Sequence, residues 1–468
     1  MRNIYRYLLC LLFAAQGTAS LAEDTPWELP LTGDVPRIDI YTEGEAAITS
    51  KTDYLTALFM LHGGGVFDDI TDSVWIKGRG NSSWYAPKKP YRLKFFHKQT
   101  PFGLTKSRHF VLIANYIDPT LAVNALALKT AQLVGSSYAG HGIPVEFYLN
   151  GAYQGSYLFT EKTRVGKGSV DIDEENSVLI ELDINYDEPQ RFISDSYYLP
   201  VMIHYPKEAD MPVIRQRWNE IEEAVFYKKD ITALIDTAAL FRYMFVYDLF
   251  CNNEVGHPKS VFCSYTELSM PSPVVFGPVW DFDWSCGFLG EEYFTLPFLE
   301  PFEQPWFDIT PVTGYSGAIS AYNGYPFFYA LARHPQIRKG YAHFCYDTFE
   351  EKVFEHLMEW LDDYAAYITP SADHDSTLWP GSADHVAATQ QLKQWLTNRA
   401  SLFRERVSDV LIQNNIGRMQ QAEQQDTATD FIFPDGRISL TPCSGFMISR
   451  SILPDGSVQV RKTWTKER

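Results

Sequence analysis

Apolar and polar positions alternate in short runs along the first two hundred residues, and beyond them apolar residues recur every three or four positions over long stretches. Alternation puts successive side chains on opposite faces of a strand, so it predicts strands that each bury one face. Such alternation begins at Arg37 to Tyr41 and returns at Ser73 to Lys77, Tyr91 to Phe96, Phe110 to Ala114, Val145 to Leu149, Tyr157 to Thr160 and Val178 to Leu182. Asn150-Gly151, directly after Leu149, is a hairpin signal because both residues tolerate a positive φ. One helix interrupts the strands, with Asp118 as N-cap, Pro119 in the first turn, Leu121, Ala125, Leu128 and Gln132 on one face, and Gly135 as its stop.

From about Asp210 the period becomes helical. Ile214, Trp218, Ile221 and Val225 share one face, then Leu240, Met244 and Tyr247 do so within Asp236 to Phe250, and long periodic stretches follow at Gln336 to Tyr367 and Asp384 to Ile412. Residues 288 to 320, rich in Pro, Gly and aromatics, read as a long ordered loop, a platform or lid for substrate. After Gln413 the chain is polar through Gln425, a linker-like stretch. The tail then repeats a Pro-Asp-Gly turn at Pro434-Asp435-Gly436 and Pro454-Asp455-Gly456, which predicts a small β appendage. The expected fold class is α+β, a small sheet-rich lobe joined to a larger helical one.

Composition adds compartment and charge. Hydrophobics at 45% and aromatics at 15% of 468 residues belong to a folded chain with ample core. Residues 1 to 22 carry Arg2 and Arg6, an apolar run from Leu8 to Ala15 and a small-residue Ser20-Leu21-Ala22, so they read as a secretory signal peptide. No later run approaches the ~20 apolar residues of a membrane span. The expectation is an exported protein, extracellular, on the cell surface or periplasmic, with no transmembrane anchor. Five cysteines outside that segment are too few and too scattered for a disulfide scaffold, and buried thiols are expected. A net charge of −18 argues against nucleic acid as a partner. Within this acidic chain, Ser73 to Ile117 contains no Asp or Glu and nine Lys or Arg, which points to a local anion site.

Three stretches carry candidate chemistry. In Gly277-Pro278-Val279-Trp280-Asp281-Phe282-Asp283-Trp284, the two acids at i and i+2 point the same way in an extended segment and can converge on one hard cation, while Phe282 anchors the other side. A surface turn with solvated acids is the plain alternative. In Trp75 to Trp84, glycines flank Arg79 and are followed by Asn81, Ser82 and Ser83, a composition able to cradle phosphate but equally that of a turn. In Asn252 to Phe262, Glu254 and Lys259 lie on a loop after a helix, where a carboxylate can accept a proton and a lysine can neutralise a phosphoryl group.

Together these stretches resemble the spore-coat protein H (CotH) kinase family, on Arg79-Gly80-Asn81-Ser82-Ser83, Lys88-Lys89-Pro90-Tyr91-Arg92-Leu93-Lys94-Phe95, Leu149 to Gly155 and Gly277 to Asp283. The resemblance implies a bilobal atypical protein-kinase-like fold over residues 73–415, preceded by a lead-in and first strands at 23–72 and followed by the linker and a small β-hairpin region at 416–468. It implies binding of ATP with Mg2+ or Mn2+ and transfer to Ser or Thr hydroxyls of exported proteins. Arg79, Asn81 and Ser82 would lie by the phosphates, Lys94 would be the phosphate-binding lysine, and Asp281 and Asp283 would hold metal. Asp281 and Lys259 would join Glu254 as catalytic groups. Two departures stand out: Glu254 falls where the family has an Asp, and Val123 precedes Asn124 where the family has an Arg. A catalytically weak or inactive pseudokinase acting as a surface or coat-assembly binding protein is the alternative, and a carbohydrate binder built on the aromatics of residues 288 to 325 is a third reading.

Overall fold

The computed structural model describes residues 27–465 apart from 269–271, 288–295, 300–323, 426–428, 433–437, 440–444 and 453–457, with side chains up to residue 413. The signal-peptide segment, both Pro-Asp-Gly turns and most of the 288–320 loop lie outside the described residues.

The strands are β1 Arg37–Thr42, β2 Leu55–His62, β3 Ile70–Gly78, β4 Tyr91–Gln99, β5 Ser107–Ile113, β6 Ile143–Leu149, β7 Ala152–Glu161, β8 Val178–Leu182, β9 Arg191–Ile193, β10 Pro200–Tyr205, β11 Val261–Tyr265, β12 Val274–Phe276, β13 Thr429–Ile432, β14 Ile438–Ser439, β15 Gly445–Ile452 and β16 Val458–Thr465. The α-helices are α1 Ser82–Tyr85, α2 Val123–Leu133, α3 Met211–Phe226, α4 Thr237–Phe250, α5 Gly324–Ala332, α6 Pro335–Glu350, α7 Val353–Ser376 and α8 His385–Gln425.

The first seven strands close into a barrel in the order β1-β2-β3-β4-β5-β7-β6, with β1 pairing parallel to β6 to complete it. Alternation supplies the filling: Phe59, Phe95, Phe110 and Phe159 point inward and meet ring to ring, as do Tyr91, Phe147 and Tyr157. A second antiparallel sheet follows in the order β12-β11-β8-β10-β9. One continuous hydrophobic core joins barrel residues such as Phe59, second-sheet residues such as Ile180, and helix residues such as Tyr243 and Leu361.

This architecture overturns the expected bilobal kinase-like arrangement of a sheet-rich lobe and a helical lobe. The barrel, the second sheet and the helices share one core, and β11 and β12 sit in the half of the chain read as helical. The expected boundary at residue 73 falls inside β3, and the first strands expected within 23–72 are β1 and β2 of the barrel.

Local chemistry accounts for the remaining differences. The early helix starts at Val123 because Asp118 Oδ1 accepts from Thr120 N at 2.8 Å while its Oδ2 accepts from Val123 N at 2.9 Å, capping from five residues back. It ends as expected, with Gly135 at φ +68 and Ser136 N bonded to Ala131 O. The polar stretch after Gln413 continues α8 to Gln425, because Gln, Glu, Arg and Met are good helix formers whatever their polarity. The tail forms a four-stranded antiparallel sheet in the order β14-β13-β15-β16. Cys251, Cys263, Cys286 and Cys345 are thiols. No helix among the described residues is long and apolar enough to cross a membrane.

One buried ion pair ties the barrel to the helices. Lys88 Nζ donates to Asp375 Oδ1 on α7 at 2.7 Å and to Ser156 O on β7 at 2.6 Å. Asp375 also accepts from Ser156 N and from Ser382 Oγ, and both charged side chains are 1% exposed.

Candidate active site

A cleft of about 550 Å³ opens where the outside of the barrel meets the second sheet. Residues that alternate with the barrel filling form one wall: Lys77 on β3, Arg92 on β4, Val111 and Ile113 on β5, and Lys162 just past β7. Glu181 on β8, Met202 and His204 on β10, Phe262 on β11, and Asp183 form the facing wall. The Arg79 to Ser83 segment borders the cleft, as do Glu254, Lys259, Ser260, Trp280, Asp281, Asp283 and Trp284. Cations thus line the barrel side and carboxylates the sheet side.

Two loops meet at the carboxylate end. Helix α4 ends at Cys251 in the left-handed region, and the next residue, the fully buried Asn252, clamps both loops. Its Oδ1 accepts from Glu254 N at 2.9 Å and its Nδ2 donates to Asp281 O at 3.0 Å. Asp281 sits at φ +63, an uncommon conformation for a residue with a Cβ, so that clamp sustains a strained turn. Phe282 is 1% exposed and packs on Tyr247 and Phe250 of α4, fixing the backbone between the two acids. From the other side, Asn124 on α2 accepts Phe282 N at 2.9 Å through its Oδ1. Its Nδ2 donates to Asp283 Oδ1 at 2.6 Å and to Asn115 Oδ1 at 3.0 Å.

The carboxylates raise one another's pKa. Burial and then Asp281 push Asp283 up to about 7, against the Asn124 bond. Burial raises Asp281 as well, opposed by Arg79 and Lys259. Burial and Asp281 hold Glu254 well above the carboxylate range, with Lys259 pulling the other way. Glu254 is 7% exposed, and its Oε2 has no hydrogen-bond partner among the described residues. Burial and Glu181 push Asp183 up to about 7 despite donors from the Asn185 and Ser260 amides. On the opposite wall, burial and Arg92 bring Lys162 down to about 7, Glu181 opposing. Burial lowers the Arg79 guanidinium against Asp281 and Asp283, and the guanidinium lies 5.5 Å over the Trp280 ring. The site therefore crowds like charges on each side of a space, an arrangement that a ligand carrying phosphate and a cation would relieve.

Among known proteins, the family model described as CotH kinase protein matches residues 76–403. The chain belongs to the CotH kinase family. No curated protein matches it.

Most of the residues that the CotH resemblance singled out come together in the cleft: Arg79, Asn81, Ser82, Glu254, Lys259, Asp281 and Asp283 all line it. Lys94 does not. It sits two residues along β4 from the lining Arg92 with its ammonium 5.2 Å from the Trp75 ring, and the barrel wall carries Lys77 and Lys162 instead. Asn252, Lys162, Glu181 and Asp183 were missed as site residues, and Asn124 was noted only for the residue before it. Glu181-Leu182-Asp183 has the same i, i+2 spacing as Asp281-Phe282-Asp283 and was the available signal. For Lys162 the signal was a cation two residues beyond Thr160, the last residue of the expected strand.

Proposed function

We propose that the cleft binds ATP with Mg2+ or Mn2+ and transfers the terminal phosphoryl group to a Ser or Thr hydroxyl of an exported protein. The observation that carries this reading is the opposition of a cationic barrel wall to a buried carboxylate cluster within one cleft, in a chain of a kinase family. Arg79, Arg92 and Lys162 would hold the phosphates, with Asn81 and Ser82 donating at the mouth. Asp281 and Asp283 fit a divalent ion: burial raises the pKa of both carboxyls and Asp281 raises that of Asp283 further, and a cation between them would remove that cost. Among the described residues no three His, Cys, Asp or Glu side chains are arranged to hold an ion alone, which suits magnesium completed by water and phosphate oxygens. The ion supplies charge neutralisation on the phosphates.

In the transfer, the acceptor oxygen forms a bond to the terminal phosphorus as the bond to the bridging oxygen breaks and ADP leaves. The hydroxyl proton would pass to Glu254, which lines the cleft and whose Oε2 has no hydrogen-bond partner among the described residues. Lys259 opposes the rise of the Glu254 pKa and would offset charge on the moving group.

The second reading is nucleotide binding without transfer. It rests on the burial of Glu254 against Asp281, which favours a protonated acid that cannot accept a proton. Incubating the protein with γ-labelled ATP and Mn2+ or Mg2+ and an exported acceptor separates the two. Label on Ser or Thr that is lost in Glu254→Gln supports transfer, whereas ATP-dependent thermal stabilisation with no label in any acceptor supports binding alone. Absence of both label and stabilisation refutes the nucleotide reading.

A further inference from the structure

The acid-free segment supplies more cations than the cleft uses. On the outside of the barrel, beyond the lining residues Lys77 and Arg92, the same faces of β3 and β4 carry Trp75, Lys94 and Phe96. Trp75 pairs with Lys94 across the strands and Lys94 with His109 on β5, so these side chains form one strip continuous with the cleft wall. Trp75 and Phe96 stack at 4.0 Å on this outer surface, while Ile76 and Phe95 beside them turn into the barrel. Two cations flank the pair: Lys94 Nζ lies 5.2 Å and Arg108 Cζ 5.6 Å from the Trp75 ring, and Arg108 is steadied by its Nε donating to Phe95 O at 2.7 Å. Exposed Leu58 on β2 lies opposite Ser73, at the edge of the strip, and exposed Lys98 and Lys106 lie at its far end. The acid nearest in sequence, Asp72, is turned away to His97 and Gln99.

Half-buried aromatics between fixed cations, on a protein of net charge −18, form a surface that this chain does not need for its own solubility or core. We propose that the strip built by Trp75, Phe96, Lys94 and Arg108 docks an acidic segment of the acceptor protein, rich in Asp or Glu with an aromatic or aliphatic residue among them. A hydroxyl elsewhere in the same acceptor then enters the adjoining cleft. The proposal rests on the phosphotransfer reading for the identity of the partner, but docking itself requires no nucleotide. Carboxylates meet Lys94 and Arg108, and the apolar residue covers the Trp75–Phe96 stack, giving specificity and a fast encounter rather than great affinity.

Fluorescence anisotropy with a labelled Glu- and Tyr-containing peptide tests it, with Gln-rich and Lys-rich peptides of equal length as controls and no ATP present. Wild type should prefer the acidic peptide and lose it as salt rises, and Lys94→Glu with Arg108→Glu should weaken binding roughly tenfold or more at unchanged melting temperature. Trp75→Ala should weaken it at every salt concentration. If the charge-reversed chain fails to fold, Lys94→Gln with Arg108→Gln gives the same comparison. Binding that is unchanged in these variants, no tighter than to the Gln-rich peptide, or confined to anionic vesicles or single-stranded nucleic acid would overturn the proposal. Intact peptide docking with no ATP binding would instead overturn the reading of the cleft.

Discussion

Replacing Asp283 by Asn should stabilise the metal-free protein and abolish its response to divalent ions. In the fold, burial and Asp281 hold the Asp283 carboxyl up at about 7 against an ordinary value of 3.8. Between those values the unfolded chain has released the proton and the folded chain has kept it, so folding loses stability as pH rises through the window. A shift of that size corresponds to roughly 4 kcal/mol at pH 7 and above, accumulating at about 1.4 kcal/mol per pH unit. The Asn variant carries no such cost, and its side-chain oxygen can still accept from Asn124 Nδ2. Its advantage over wild type in chelator should therefore be small at pH 4 and grow to a few kcal/mol by pH 7. Divalent ion should reverse the order, raising wild type by about 1.4 kcal/mol for each tenfold excess over its dissociation constant and leaving the variant in place. Urea unfolding at pH 4, 5, 6 and 7, in chelator and in Mg2+, reads all of this. A variant less stable than wild type at every pH in chelator would mean that the Asp283 carboxylate is a structural anchor to Asn124, and the metal reading would fail.

Three further substitutions probe the walls and the frame. Lys162→Met should weaken nucleotide binding by about 1.5–3 kcal/mol. Because Lys162 releases its proton near 7 in the fold and near 10.5 when unfolded, its burial cost is full below pH 7 and fades above it, so the Met variant should also be the more stable at pH 6; Lys162→Arg should keep affinity constant where that of wild type falls above pH 7, as read by calorimetric titration. Asn124→Asp preserves the bond to Phe282 N but turns a donor toward Asp283 into a third acid, so chelator-treated protein should lose about 1–3 kcal/mol and recover part of it in Mg2+, as measured by thermal melts. Lys88→Met leaves Asp375 buried without its cation and should cost about 3–5 kcal/mol in urea unfolding, with Asp375→Asn in the same chain restoring part of the loss.

What the sequence disclosed follows from what periodicity measures. A period of two marks a strand with one buried face, and it located six of the barrel strands at least in part, but it is the same for an open sheet and a closed barrel. Closure depends on the pairing of β1 with β6, Arg37 with Glu146 and Ile40 with Leu149, across more than a hundred residues, which no local pattern records. Strands β8, β11 and β12 are buried on both faces and read as mostly apolar runs, broken only by Glu181 and Ser264; β8 was recognised and the other two were absorbed into a helical half. At the site, i, i+2 spacing and the CotH resemblance brought out Asp281, Asp283, Arg79 and Glu254. Lys94 falls outside the cleft for a plain geometric reason: Arg92 and Lys94 share one face of β4, and of the two only Arg92 lies where the cleft runs.

That same basic segment also shows how structural and functional charges differ once folded. Lys88 is 1% exposed, yet its ammonium has a carboxylate and a carbonyl at hydrogen-bond distance, and its partner Asp375 accepts two further donors. A charge satisfied so completely needs nothing from outside and holds barrel to helix. Arg92, also in the cleft wall, keeps a buried Nε without a partner among the described residues, and across the cleft Glu254 keeps a buried Oε2 in the same state. Each such atom costs on the order of 1–3 kcal/mol against a total stability of only about 5–15. Folding alone gives no reason to carry that cost on both walls of one cleft. A ligand bearing acceptors for the barrel side and a cation for the sheet side does, and it would recover the cost on binding, so nucleotide and metal together should stabilise the protein by more than the sum of each alone.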